Sequence, residues 1–162
     1  MISEATRARF AREVAKYPSD QKQSAVMACL AIVQQELGYV SVESEREVAA
    51  FLDMPPMAVR EVTTFYNMYN QAPVGKYKLN VCTNLPCQLR DGGRALAHLE
   101  QKLGVSAGET TADGLFTLQQ CECLGACADS PVMLVNDRTM CSFMSNDRLD
   151  QLIDGLKSAE AS

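Results

Sequence analysis

No stretch of this chain approaches the ~20 consecutive apolar residues a membrane-spanning helix needs, so no direct membrane insertion is expected. The opening Met1-Ile-Ser-Glu-Ala holds no apolar run of the kind a secretory signal requires. Arg7, Arg9, Arg12 and Lys16 faintly resemble an organellar presequence, but Glu4 and Glu13 break the acid-poor composition such segments have. A basic surplus is lacking too. The 15 Lys and Arg stand against 20 Asp and Glu, a formal net charge of -5, which suits no protein that must neutralise phosphates. No nucleic acid is therefore expected as a partner. Neither G-x-G-x-x-G nor a P-loop occurs, since Gly92 and Gly93 stand together in Asp-Gly-Gly-Arg. With one histidine, His98, and no grouping of acids, bases and nucleophiles, the chain offers no catalytic constellation.

What is present fits a folded protein. Hydrophobic residues make up 47% and charged residues 22% of 162, an ordinary globular balance. A chain of this length buries roughly 70% of its unfolded surface, enough for a core without disulfide staples. Its seven cysteines then point to metal or redox chemistry in a reducing, cytoplasmic-type compartment.

The expected fold class is α+β, in two parts. Residues 1–72 read as a helical bundle. Phe10, Val14 and Tyr17 recur at helical spacing until Pro18. Ser19 is placed to cap a second helix through Val26, Leu30, Val33 and Leu37, ending at Gly38. Ser44 and Glu47 form a capping box for a third, and Pro55 and Pro56 open a fourth that runs towards Tyr66 or Tyr69. Residues 73–162 change character. Strands are expected at 76–82, 115–121, 132–135 and 139–143, with helices at 91–103 and 146–156 and a frayed tail at 158–162. Asn136-Asp137-Arg138 marks a hairpin.

Five cysteines fall into two groups, Cys82-Thr-Asn-Leu-Pro-Cys87 and Cys121-Glu-Cys123-Leu-Gly-Ala-Cys127. The first lies between a strand and a helix, where backbone N–H groups favour thiolate and a net-anionic centre. Gly125 suits a sharply bent loop. A thioredoxin-type dithiol needs Cys-x-x-Cys, which neither group provides, and a Rieske centre needs two histidines. A four-cysteine [2Fe–2S] cluster, a structural zinc site and simple redox thiols stay open on spacing alone, although zinc pairs more often sit two residues apart. Cys29 and Cys141 lie in apolar patterns and read as small buried hydrophobes, whereas His98 reads as solvated.

The pattern Cys82-x₄-Cys87 followed by Glu122-Cys123-Leu-Gly-Ala-Cys127 and Ser130-Pro131-Val132-Met133 resembles the E subunit of bacterial NADH:quinone oxidoreductase, respiratory complex I. Val62-Thr-Thr-Phe-Tyr66 and the run from Val81 to Arg90 are similar to the same family, and the likeness extends from about Tyr17 to Leu156. The resemblance implies a thioredoxin-like [2Fe–2S] domain after a helical bundle, in a cytoplasmic electron-transfer subunit peripheral on an inner-membrane complex. It implies FMN and NADH on a partner subunit, which agrees with the missing dinucleotide fingerprint. Equivalent diaphorase subunits of NAD-linked hydrogenases and formate dehydrogenases fit the same pattern. A low reduction potential is expected, as for other all-cysteine two-iron centres.

Cys121 makes the ligand choice ambiguous. A two-iron cluster takes two thiolates per iron, and Cys82 with Cys87 and Cys123 with Cys127 are sequence-local pairs. If the strand continues to Cys123, Cys121 lies ~6.5–7 Å back along it, too far to share one iron with Cys123. The resemblance points to the same four, so Cys82, Cys87, Cys123 and Cys127 are the expected ligands.

Two readings concern the first half. Residues 44–66 also resemble a helix-turn-helix, which raises a DNA-binding redox sensor, but Arg60 is the one base of the would-be recognition helix. The rings of Phe65 and Tyr66 are expected mainly to pack between the two halves, with partner contact as the second possibility.

Overall fold

A computed structural model describes residues 2–160. The chain divides into two compact units, with the division between Pro73 and Val74. The first is helical and the second combines helices with a mixed sheet, so the architecture is α+β.

The first unit contains α1 (Glu4–Val14), a 3₁₀ turn (Lys22–Ala25), α2 (Val26–Leu37), α3 (Val42–Leu52) and α4 (Pro56–Phe65). Phe10, Leu30, Val33, Val48, Leu52 and Val59 are fully or almost fully buried in its core, each contributing about 1.5–3 kcal/mol. Two expected caps moved. Ser19 caps nothing, because the 3₁₀ turn intervenes and α2 begins after Ala25 without a side-chain cap. The cap of α3 is Ser41, whose hydroxyl accepts from the Ser44 N–H at 3.1 Å. Ser44 is thereby buried one turn inside the helix, and Glu47 instead accepts from the Ile2 N–H at 2.8 Å.

Glu45, 2% exposed, takes hydrogen bonds from Arg60 at 3.0 Å and the Thr63 hydroxyl at 2.5 Å. Arg60, the one base of the would-be recognition helix, is therefore bound to a buried carboxylate, which weakens the helix-turn-helix reading. Phe65 is 79% exposed and its ring lies edge-on to Tyr66 at 5.0 Å.

The second unit runs β1 (Tyr77–Cys82), α5 (Leu85–Gln88), α6 (Gly92–Leu103), β2 (Phe116–Cys121), a 3₁₀ turn (Cys127–Asp129), β3 (Met133–Val135), β4 (Thr139–Cys141) and α7 (Asn146–Glu160). The sheet order is β2-β1-β3-β4. Strands β1 and β2 are parallel, while β1–β3 and β3–β4 are antiparallel. Leu79, Val81, Phe116, Leu118 and Met133 from the sheet share one core with Ala95 and Leu99 of α6 and Leu149 and Ile153 of α7. The opposite side of β1 carries Lys78, 2% exposed, with its ammonium 2.5 Å from Asp137 in the β3–β4 turn.

His98 is not free in solvent, since its Nε2 lies 2.9 Å from Asp150 and Lys102 shares that carboxylate at 3.1 Å, tying α6 to α7. Helix α7 outlasts the frayed tail expected from 158. Glu160 is held by Lys76 at 2.5 Å and by the Tyr77 hydroxyl at 2.9 Å, while Ala161 and Ser162 lie outside the described residues. No helix among the described residues is long and apolar enough to cross a membrane.

Candidate metal centre

Parallel strands β1 and β2 end together, and their last residues, Cys82 and Cys121, are register partners. Partners in a sheet project to the same face, so both thiols enter one small apolar cluster with Cys87, Val132, Leu124 and Ala126. Cys87 comes from the short helix α5, which the sequence pattern did not separate from α6. Gly92 explains how the first cysteine loop turns back so tightly. A Cβ there would stand 2.8 Å from the Cys87 carbonyl oxygen and 2.9 Å from that of Cys82, so only glycine fits beneath the loop.

The second loop leaves β2 after Cys121 and carries Cys123 and Cys127, both exposed. Gly125 sits between them at φ +75°, and its N–H points at Cys123 Sγ at 3.3 Å. Cys82, Cys87 and Cys121 share one buried cluster, and Cys123 and Cys127 lie together on the second loop. Cys82 and Cys87 interact side chain to side chain, as do Cys123 and Cys127, and Cys127 also feels the charge of Cys87. Among the described residues no three His, Cys, Asp or Glu side chains gather as a single-ion site needs.

Three tethers hold the loops together. Asn84 donates to Glu122 at 2.9 Å, Arg90 donates to the Ala128 carbonyl at 3.0 Å, and the Thr83 N–H donates to the Cys121 carbonyl at 3.0 Å. Ser130, which precedes Pro131 through a cis peptide bond, lies against both loops. Its hydroxyl is 3.2 Å from Cys87 Sγ and donates to the Cys127 carbonyl at 2.8 Å. Sequence reasoning marked the cysteines but not these braces, most of whose partners are tens of residues away along the chain.

Burial dominates the thiol electrostatics. It pushes Cys121 up to about 12, with the charges of Cys82, Glu122, Asp137 and Cys87 adding to it. Cys82 is raised by burial and by Cys87, although the backbone N–H groups of Asn84 and Leu124 oppose the rise. Cys127 is raised by desolvation and then by Cys123 beside it. At Cys82 burial thus opposes the thiolate bias expected from the strand-to-helix junction, and ligation by these thiols would release protons. The other two cysteines behave as expected or nearly so. Cys29 is fully buried and pushed up to about 12, first by burial, and Cys141 is half-buried on the edge strand β4.

A mixed four-stranded sheet that ends in a cysteine-rich double loop defines a thiolate-bearing α/β domain of the kind that houses iron or zinc. The chain belongs to the thioredoxin-like [2Fe–2S] ferredoxin family, whose model matches residues 10–157. It is 39% identical over 146 residues to NADH-quinone oxidoreductase subunit 2 of Thermus thermophilus, covering 90% of this chain and 81% of that protein. It is 44% identical over 125 residues to the NADH-quinone oxidoreductase E subunit of Rickettsia typhi, 76% of this chain and 74% of that one. The E 2 subunit of the same enzyme in Rhizobium meliloti is 40% identical over 146 residues, 90% of this chain and 85% of its own. A crystal structure of an air-oxidised NAD⁺-reducing [NiFe]-hydrogenase superposes with a TM-score of 0.70 over 83% of this chain and 23% of that one. At 20% identity that likeness speaks for the fold.

The donors fit the family's cofactor. Two thiols from each loop could supply two irons with two thiolates each, and N–H groups from Asn84, Leu124 and Gly125 face sulfurs that would carry negative charge.

Proposed function

We propose that Cys82, Cys87, Cys123 and Cys127 hold a [2Fe–2S] cluster, and that the chain is the electron-transfer subunit of an NADH:quinone oxidoreductase. Its partner is a subunit carrying FMN and the NADH site, and the chain is cytoplasmic, peripheral on the inner-membrane complex. The convergence of the two cysteine loops at the ends of β1 and β2 carries this reading, together with the family match and relatives named as subunits of that complex. Membership of a [2Fe–2S] family favours this cluster over a structural zinc site.

When bound, the cluster supplies a one-electron couple beside a flavin that takes electrons from NADH in twos. The protein's part is to hold and tune. Strand ends β1 and β2 fix Cys82, Gly92 lets the Cys87 loop close, and the Asn84–Glu122 and Arg90–Ala128 bonds set the separation of the two thiol pairs. Backbone N–H groups aimed at sulfur favour added negative charge and so favour reduction. The diaphorase alternative shares all of this chemistry, and the relatives' names favour the quinone-linked complex.

The test is co-expression with the flavin-binding subunit. A stable pair in which NADH produces the cluster's EPR signal is expected, while the pure, flavin-free chain shows no NADH:ferricyanide turnover. Failure to form a pair, or turnover by the isolated chain, contradicts the reading.

A further inference from the structure

Ser130 is 2% exposed and stands between the two cysteine loops. A hydroxyl has one proton and two acceptor lone pairs. Towards the Cys127 carbonyl at 2.8 Å the hydroxyl can only donate, so with its proton directed there the 3.2 Å contact with Cys87 would need the thiol as donor. Ligation changes the balance. A Cys87 thiolate has no proton, and the unturned hydroxyl would oppose lone pair to lone pair in a buried site. The Cys127 carbonyl has a second donor, the Ser130 backbone N–H at 3.4 Å, so it keeps a partner if the hydroxyl turns away.

We propose that Ser130 is a positioning residue whose hydroxyl proton turns from the Cys127 carbonyl to Cys87 Sγ when the cluster binds, and that this bond raises the reduction potential. The inference rests on Cys87 being a ligand. A hydrogen bond to a ligand sulfur grows stronger as the cluster gains negative charge, so it stabilises the reduced form. The buried position strengthens the effect, because no water replaces the bond when it is removed.

The experiment is an EPR-monitored redox titration of the full, cluster-loaded chain as wild type, Ser130→Ala and Ser130→Thr. The midpoint should fall in Ser130→Ala and return towards wild type in Ser130→Thr. Deuterium exchange read by ENDOR should show one exchangeable deuteron near the cluster that is lost in the Ala variant and present in the Thr variant. An unchanged midpoint in a fully loaded Ala variant overturns the proposal, and so does a shift that Thr fails to reverse, which would be packing. Should Ser130→Ala fail to take up iron, Ser130→Gly removes the hydroxyl without bulk and is judged by the same two results. Cys87→Ala separates the role of the hydroxyl from the ligand set: a full cluster in that variant refutes the ligand set itself, whatever Ser130 does.

Discussion

Replacing Cys121 and Cys123 one at a time by alanine should give opposite results for fold and cluster. Cys121 is 9% exposed and packs with Cys82, Cys87 and Val132. Losing its sulfur removes about one buried methylene's worth of burial, ~0.8 kcal/mol, plus a small cavity. Cys121→Ala should therefore destabilise the cluster-free chain by about 1 kcal/mol and lower its urea midpoint at unchanged slope. Cys123 is exposed, so its replacement should change that stability by less than about 0.5 kcal/mol. For the cluster the order reverses. Cys121→Ala should keep the visible absorption and EPR signal, while Cys123→Ala should lose or badly destabilise both. Alanine is the substitution to use, because a serine oxygen can hold iron. Loss of the cluster in Cys121→Ala, with retention in Cys123→Ala, would show that the wrong thiol has been assigned.

Leu99→Ala empties a fully buried position beneath the sheet and should cost about 2–5 kcal/mol in urea unfolding; a loss under about 1 kcal/mol would refute the core assignment. The Asp150 carboxyl is held below its usual range by hydrogen bonds from His98 and then Lys102. Its stabilising contribution is complete above the unfolded value of about 3.9 and is lost as pH falls through the lower folded value. The stability gap between wild type and Asp150→Asn should accordingly narrow below about pH 4, and a gap independent of pH would contradict it. Cys29, buried and pushed up to about 12, should resist iodoacetamide at neutral pH until the chain unfolds; alkylation in the native state would count against that core.

Local signals carried much of this molecule. Alternation located β1 and β2 within a residue, helical spacing located α6, and Asn136-Asp137 turns the β3–β4 hairpin with both residues at positive φ. The cysteine spacing marked both loops of the site. What stayed hidden depends on distant partners. Ser41 rather than Ser44 caps α3 because the buried face of Glu45, Val48 and Leu52 places Ser44 inside the helix. Lys78 is buried only because Asp137, far along the chain in the β3–β4 turn, returns beside it. Ser130 becomes part of the site through a sulfur 43 residues earlier in sequence. The desolvation around Cys82 and Cys121, which opposes the local N–H groups, is hidden in the pattern for the same reason.

The central claim is that this chain binds a two-iron cluster through two thiol pairs, and one sample tests it most directly. The purified chain should be reduced with dithionite for EPR, with iron, acid-labile sulfide and zinc counted on the same material. Two irons and two sulfides per chain are expected, with little zinc and the S = 1/2 signal of a reduced [2Fe–2S] centre. One zinc per chain, with no sulfide and no signal, would contradict it.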